Sequence, residues 1–283
     1  HDTGRWRRVT GAFFSYQWLK TNAPVGFGED MTAPIGKAIA ATIYNSMLKS
    51  MTDKGLSEER AKAIIEKAGG VNMDVSVAVP GEYRTPTLNA ALFHESSIQI
   101  SKRLRATVGL RYDLSRPSIE YDTSASMSMT ANIMGAKATN TLLSHLTNKT
   151  SDTFNQLLPK IGFTCGLGKP ASGGYDTGNV YASASKGYRA GGYNIQMFSD
   201  ILQSELMSNK TNAMKGDYEI KHGKSDYDNV NNTIKYKPEE SWNYEIGTHI
   251  NLPQASVHLD AALYYMQIKN QQISVMAGNY GFG

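Results

Sequence analysis

The sequence predicts an all-β protein, namely part of an antiparallel transmembrane β-barrel of about seven or eight strands, with long outer loops that carry short helices. Seven segments alternate between apolar and polar residues, which is typical of strands with two different faces. The connections between them run long, short, long, intermediate, long and short. Membrane barrels have this asymmetry, with short turns at one end and long loops at the other. A soluble sandwich seldom keeps it, since its connections vary at both ends.

Composition is compatible with this fold and excludes several classes of function. Only 40% of the 283 residues are hydrophobic, and no window reaches the ~18 apolar residues of a transmembrane helix. A membrane barrel keeps a low mean hydropathy, here −0.40, because each strand is apolar on one face only. The net charge of +4 does not indicate a nucleic-acid partner. The single cysteine, Cys165, rules out an internal disulfide framework and a cysteine-based zinc cluster.

The first strands lie on either side of a long connection. Residues 5–18 predict a strand, and residues 88–101 and 104–114 predict a hairpin with little more than Lys102 as its turn. Segment 104–114 has the clearest alternation in the chain. Its apolar side carries Leu104, Ala106, Val108, Leu110, Tyr112 and Leu114, and its polar side carries Arg103, Arg105, Thr107, Arg111 and Asp113.

Four further strands are predicted in the second half, at 156–167, 179–189, 241–252 and 256–268. Strand 179–189 is the most distinctive, because small apolar residues alternate with Tyr and Ser. It ends at the pair Gly191-Gly192, which frees the backbone to leave the sheet.

Three long excursions, 21–86, 115–155 and 190–235, separate the strands. The first predicts a helix over 35–51 from its apolar spacing, and a second over 58–68, with Ser57 as N-cap and Gly69-Gly70 as its end. The second excursion is rich in Ser, Thr, Asn and Met. The third predicts a short helix at 197–207 and a polar loop at 226–232. Loops of this length are usually functional or disordered.

No motif identifies a catalytic, cofactor-binding or metal-binding residue, and the ligand-binding residues are not identified either. Segment 162–170, GFTCGLGKP, fails as a phosphate loop because Pro170 stands where Ser or Thr should bind magnesium. The acidic run 226–232 lacks the central Gly and the bidentate Glu of a calcium loop. His249 and His258 flank the turn at Pro253 on polar faces, where lumen or turn-end positions are favoured over metal ligation.

Two groups of side chains have a simple place in a barrel. Amphipathic rings span headgroup and hydrocarbon at membrane interfaces, and the candidates are Trp18, Tyr112, Trp242 and Tyr265, although ordinary sheet packing stays an alternative. A water-filled lumen accepts charged groups whose burial in an apolar core would cost on the order of several kcal/mol each. These groups are Arg105, Arg111, Glu245 and Asp260.

Four stretches together resemble the barrel of TonB-dependent outer-membrane receptors, over about residues 100–282 and by pattern alone before that. They are VYASASKGYRAGGYN (180–194), KPEESWNYEIGTHINL (237–252), LRATVGLRYD (104–113) and FNQLLPKIGF (154–163). In the second, Pro238, Glu239, Tyr244, Glu245 and Gly247 match a recurring Pro-Glu…Tyr-Glu-x-Gly pattern.

This resemblance implies a barrel of about 22 strands whose lumen is plugged by an N-terminal domain. We therefore expect residues 1–283 to be a partial barrel without its plug, cut from a longer protein. The implied function is active transport across the outer membrane of a Gram-negative bacterium. An iron-siderophore or similar nutrient would bind at the outer loops, and a TonB complex would supply energy through the plug. The implied partners are outer-membrane lipid, the nutrient and the TonB complex.

The alternative is a soluble or surface-attached β-rich protein that binds glycans, and a hydrolase on such a scaffold is a weaker one. Detergent dependence separates a membrane barrel from both, because its apolar face lies outside.

Overall fold

The computed structural model describes residues 4–168, 177–252 and 257–273. Its strands are β1 (Trp6–Gln17), β2 (Lys20–Gly26), β3 (Val71–Arg84), β4 (Thr87–Gln99), β5 (Leu104–Ile133), β6 (Ala136–Ser151), β7 (Phe154–Gly166), β8 (Gly178–Arg189), β9 (Gly192–Tyr193), β10 (Tyr218–Ile220), β11 (Lys235–Tyr236), β12 (Glu239–Leu252) and β13 (Val257–Lys269). Its helices are α1 (Glu29–Asp53), α2 (Glu58–Lys67), α3 (Met197–Ala213) and α4 (Lys224–Ile234).

One sheet runs through most of the molecule. Its main path has the order β1-β4-β5-β7-β8-β12-β13, with every neighbouring pair antiparallel. We call this part, with Leu104–Pro117 of β5, the barrel band. Within the described residues the sheet does not close, as a partial barrel requires. The seven predicted strands are confirmed. Six of them coincide with one strand of this path to within about two residues, and the seventh, 104–114, begins where β5 begins but β5 continues to Ile133.

The band continues, without a break in register, into a second region. β3 and β4 pair with the same side of β5 in one register, from the pair of Val71 with Ile133 to the pair of Gln99 with Arg105. On its other side, β5 pairs with β6 and β7 in one register, from the pair of Ile133 with Ala136 to the pair of Leu104 with Cys165. Because no residue slips, alternate residues stay on the same two faces along the whole of β5.

This second region, the loop module, consists of β2, β3, Ser118–Ile133 of β5, β6 and β9–β11 with the four helices. The three predicted helices are present, and α1 and α3 extend well beyond their predicted ends. Ser57 occupies the N-cap position of α2 but makes no capping hydrogen bond through its side chain. Gly69 and Gly70, which follow α2, have φ of 103° and 70°, where glycine is favoured over residues with a Cβ.

Two predictions about the excursions are corrected. Residues 226–232 form most of α4 rather than a polar loop, because Val230 and Ile234 bury one side of the helix. The Asp226 carboxylate accepts a hydrogen bond from the Gly223 N–H at 2.7 Å, which caps its first turn. The excursion 115–155, a long outer loop to which the sequence assigned no helix or strand, is a long hairpin of β5 and β6 that is joined through Met134 and Gly135 at positive φ.

The apolar core lies in the loop module. It joins residues from all three excursions, among them Ile39 of α1, Met127 of β5 and Leu202 of α3. Within β5 the buried residues after Ile119 fall at odd positions, whereas the apolar residues of 104–114 fall at even positions. The alternation of the sequence therefore reverses within one continuous strand. No helix in the described ranges combines the length and apolar character needed to cross a membrane.

Candidate functional site

The apolar face of the barrel band is exposed. On β5 it carries Val108 and Tyr112, which are 53% and 45% exposed, and the pairing places Leu92 of β4 and Ile161 of β7 on the same face. Large apolar side chains are exposed on this face in every strand of the band. An exposed apolar surface of this extent needs a lipid or protein environment.

The four predicted interfacial aromatics stay predictions as belt residues, but their positions are compatible with that role. Tyr112 and Tyr265 lie exposed on the apolar face, and Trp18 is exposed between β1 and β2. Trp242 stacks on Tyr244, with 6.1 Å between ring centroids. Tyr244 in turn stacks on Tyr265 at 6.3 Å, so β12 and β13 carry one aromatic cluster.

The opposite, polar face of the band is lined with side chains that bond to one another. Arg111 donates to Asp113 at 2.6 Å, and Arg105 donates to the Gln99 side chain at 3.1 Å. The Tyr181 hydroxyl donates to Glu245 at 2.6 Å. All four predicted lumen residues, Arg105, Arg111, Glu245 and Asp260, are therefore on this face with partners. Glu95 and Lys160, not singled out by sequence, add an ion pair of 3.0 Å across strands β4 and β7.

The two histidines beside the β12–β13 turn share one carboxylate. His249 Nδ1 lies 2.7 Å from Asp260 Oδ1, and His258 Nε2 lies 3.0 Å from Asp260 Oδ2. The His249 ring also stacks on Tyr181 at 5.4 Å. Among the described residues no group of His, Cys, Asp and Glu is arranged to hold a metal ion. The Pro253 turn itself lies outside the described residues.

The loop module places its helices on the side that continues the polar face. Ile119, Tyr121 and Met127 have the same parity on β5 as Arg111 and are fully buried. The Phe198 ring of α3 belongs to the same buried cluster, and its centroid lies 4.5 Å from that of Tyr121. The Tyr121 hydroxyl donates to Asn231 of α4 at 3.0 Å, and burial raises the pKa of Tyr121 to about 12.

A second set of contacts fixes α3 to β6. Glu205 Oε2 of α3 accepts a hydrogen bond from the Ser144 hydroxyl at 2.7 Å and also lies 3.0 Å from His222 Nε2. Asn140 donates to the carbonyl of Ala213 at 2.8 Å. These polar contacts lie at the edge of the apolar core and set the position of α3. The module is therefore a packed unit at the end of the polar face where the long connections lie.

Next to the module, a groove of about 670 Å³ lies at the ends of β8, β12 and β13. We call it the mouth groove. Its polar lining consists of the cations Arg189, Lys235 and Lys237, the phenols Tyr193 and Tyr236, and the amides Asn194, Gln196, Asn270, Gln271 and Gln272. Lys235 forms an ion pair with Asp152, whereas Arg189 and Lys237 form none within the described residues. Among the described residues the lining contains no carboxylate, so the groove favours ligands that carry acceptor oxygens or negative charge.

The predicted exit of the chain at Gly191-Gly192 lies at this groove. β8 ends at Arg189, and Gly192 begins the short strand β9, which pairs with β11. A Cβ on Gly191 would lie 2.5 Å from the carbonyl oxygen of Tyr236 and 2.7 Å from the Phe154 ring. The glycine is therefore needed for close backbone approach. In the segment 162–170, which fails as a phosphate loop, residues 162–166 are the last residues of β7. Residues 169 and 170 lie outside the described ranges.

Sequence reasoning missed a bridge in the band beside the groove. The pairing of β7 with β8 ends at Lys160–Ser185. Beyond that point Lys186 Nζ reaches Glu240 at 2.8 Å and Gln156 Oε1 at 3.0 Å, and Gln156 donates to Glu240 at 2.7 Å. Hydrogen bonds among these three side chains thus connect β7 with β8 and β12 where the backbone pairing of β7 and β8 has ended. No sequence signal identifies such a bridge, because its members come from three strands.

Comparison with known proteins identifies the architecture. Residues 59–283 match the family model described as TonB dependent receptor-like, beta-barrel. No curated protein matches the chain. Similar solved structures include the ferric yersiniabactin uptake receptor FyuA from Yersinia pestis, at 14% identity over 96% of this chain and 31% of that one, with a TM-score of 0.26. The ferric-catecholate import receptor Fiu from E. coli K12 is 14% identical over 95% of this chain and 33% of that one, with a TM-score of 0.37.

The FrpB iron transporter from Neisseria meningitidis is 13% identical over 70% of this chain and 34% of that one, with a TM-score of 0.25. The chain spans about a third of the length of each of these three structures.

Proposed function

Since the chain belongs to the TonB-dependent receptor-like β-barrel family, we propose that it is part of an outer-membrane receptor that captures a nutrient at its long-loop end and imports it. The family is one of transport receptors, found in the outer membrane of Gram-negative bacteria. The observation that carries the proposal is the pair of opposite faces along the band. Its exposed apolar face suits lipid, and its self-bonded polar face suits a water-filled lumen.

The proposed direction of transport rests on the difference between the two ends of the band, one with long connections and one with short turns. Long loops form the outer side of such barrels and short turns form the periplasmic side. The mouth groove would then face the medium, where Arg189 and Lys237 are available to a ligand. An iron-siderophore chelate or a similar nutrient suits it, because acceptor oxygens or anionic charge would meet cations, phenols and amides.

Energy coupling belongs to the whole receptor. In this proposal a plug in the rest of the protein contacts the TonB complex, and its rearrangement opens a path along the polar face. The paired residues of that face leave few unsatisfied groups on the wall, so a ligand would pass without strong retention.

The test uses the full-length receptor in detergent. Binding of ferric chelates, haem and cobalamin is measured by fluorescence quenching and by uptake in iron-limited cells. The double variant Arg189→Gln/Lys237→Gln should weaken binding of the recognised ligand by at least about tenfold, since hydrogen bonds to charged groups contribute about 1.5–3 kcal/mol each. Lys149→Gln is the matched control, because Lys149 is an exposed cation of β6 opposite Glu120 and does not line the groove.

Two results would contradict the proposal. Failure of all three ligand classes to bind, with normal growth of a deletion strain on limiting iron, would exclude iron uptake. A receptor that stays monomeric in plain buffer and lacks heat-modifiable gel mobility would exclude the membrane barrel and favour the glycan-binding alternative.

A further inference from the structure

A basic rim lies at the short-turn end of the first strands of the band. Its cations are Arg5, Arg7, Arg8, Lys102, Arg103 and Arg105. The acidic residues near these cations in the sequence are Asp2 and Glu95, and Glu95 Oε2 lies 3.0 Å from Lys160 Nζ. The rim therefore carries a net positive charge and attracts anions.

Arg8 brings this charge to the apolar face. Arg8 pairs with Ser96, which pairs with Val108, so its side chain shares the exposed apolar face of β5. The Arg8 guanidinium lies 4.3 Å from the centroid of the Trp6 ring. Trp6 is 42% exposed at the start of β1. An arginine that reaches toward a tryptophan at the end of a spanning strand places its charge near the lipid headgroups.

Three polar residues next to Arg8 form a ladder on the same face. Thr10 Oγ1 lies 2.7 Å from His94 Nδ1, and His94 Nε2 lies 2.9 Å from Ser96 Oγ. Both ring nitrogens thus have a partner, which lowers the cost of a histidine facing lipid. Their neighbours across β5, Val108 and Leu110, are apolar and about half exposed. The three polar residues therefore form a small polar patch on an otherwise apolar face.

We propose that Trp6, Arg8, Thr10, His94 and Ser96, the rim site, bind the headgroup of an anionic phospholipid in the leaflet beside the short turns. The Arg8 guanidinium donates to the phosphate oxygens, and planar guanidinium suits this contact better than an ammonium group. The Trp6 ring packs at the level of the glycerol, and Ser96 donates to an acyl ester carbonyl. This inference rests on the membrane location given in the proposed function.

The test compares the full-length receptor in phosphatidylcholine nanodiscs with and without phosphatidylglycerol. Native mass spectrometry of the receptor released from the discs counts retained phosphatidylglycerol, and thermal unfolding gives its stabilising effect. Arg8→Gln should lower the retention of phosphatidylglycerol by about fivefold, the effect of one cation at an anionic surface. Arg8→Lys keeps the charge and should retain an intermediate amount. Arg105→Gln removes the same unit of charge at the same end but on the polar face, so it should lower the retention of phosphatidylglycerol much less than Arg8→Gln does.

Three outcomes would overturn the rim site: equal retention by the wild type and Arg8→Gln, an equal loss in Arg8→Gln and Arg105→Gln, or a dimer that Arg8→Gln converts to monomers with lipid retention unchanged. The last would assign this wall to a protein contact. Heat-modifiable mobility of the same samples tests the membrane barrel separately. A heat-modifiable receptor without lipid selectivity contradicts the rim site alone.

Discussion

The two halves of β5 show how one strand serves two environments. In the barrel band, the apolar side chains of Leu104–Leu114 face outward and are exposed or half-buried, and the polar ones face the lumen. In the loop module, from Ile119 onward, the apolar side chains lie on the continuation of the lumen face, where α1, α3 and α4 bury them. Polar residues such as Glu120 and Asp122 take the outer side. The backbone register is the same in both halves.

This difference locates the boundary between lipid and water. The switch in alternation falls at Ser115–Pro117. Before it the apolar residues are at even positions, and after it they are at odd positions, while the register of the backbone pairing stays the same. A strand across a membrane needs about 9–11 residues, and β5 has 30. The remaining length forms the floor of the module. The helices can cover the mouth only because the lumen side of the strand turns apolar there.

The largest expected effect tests whether the module has a protein core and the band does not. Leu202→Ala removes a fully buried side chain of α3 and should destabilise the module by about 2–5 kcal/mol, since a cavity remains. Leu92→Ala on the apolar face should cost much less, because lipid chains can fill the space. Hydrogen exchange of module amides in the full receptor measures the first effect, and heat-modifiable mobility measures the second. Equal losses would contradict the division into two environments.

The next effect tests the two faces of the band. Val108→Lys puts a charge on the apolar face, between the headgroup level and the midplane. It should cost on the order of 1–3 kcal/mol of folding into bilayers, because this cost falls from about 2–4 kcal/mol at the midplane to about 0–1 kcal/mol at the interface. Thr107→Lys, the adjacent residue on the polar face, should cost little, because water reaches the lumen. Urea titrations of receptors folded into liposomes measure both. If Thr107→Lys is the more harmful, the faces are assigned the wrong way round.

These regions also differ in how far the sequence predicts them. The band was predictable because apolar and polar residues alternate along most of each strand. The alternation is clearest in 104–114, and Arg8 and His94 interrupt it in β1 and β4. The hairpin within 115–155 was missed because its outer side is mostly polar, with many Ser and Thr residues, and its apolar residues have the opposite phase to those of 104–114. Helix α4 was missed because its Asp and Asn residues favour turns locally, and the burial of Val230 and Ile234 decides against them.

The mouth groove lay beyond sequence reasoning for a related reason. Arg189, Tyr193 and Lys237 lie at the two ends of the long connection from β8 to β12, and Gln272 follows β13. They meet only when the strand ends do. Gln272 fixes this meeting, since its side-chain amide donates to the carbonyls of Ala190 and Lys237, both at 3.0 Å. Pattern analysis could indicate the end of the molecule where a ligand binds, but not the side chains.

A smaller effect tests the buried phenol of the module. Burial raises the pKa of Tyr121 from 10.0 to about 12. The raised value means that the folded module favours the protonated phenol, so this contribution is complete below pH about 10 and is lost as the pH rises to about 12. The wild-type module should therefore lose stability in that window. Tyr121→Phe should lose less there, although it starts lower because the hydrogen bond to Asn231 is gone.

Far-UV circular dichroism of the helices and phenolate absorbance, followed together against pH, measure this effect. Ionisation of Tyr121 at its ordinary pKa with the module intact would contradict the burial. Tyr218→Phe, at a tyrosine that is 41% exposed in the same module, is the control and should leave the profile unchanged.

The smallest effect concerns the ion pair of Glu95 and Lys160 on the lumen wall. Both side chains are almost half exposed, at 42% and 49%, so water screens their attraction. Glu95→Gln should change the stability of the band by less than about 1 kcal/mol, and the change should shrink further in high salt. Double-mutant cycles with Lys160→Met in liposome-folded receptor measure the coupling. A coupling of several kcal/mol, insensitive to salt, would mean that this wall is dry and packed like the module core, and the contrast between the two halves of β5 would then fail.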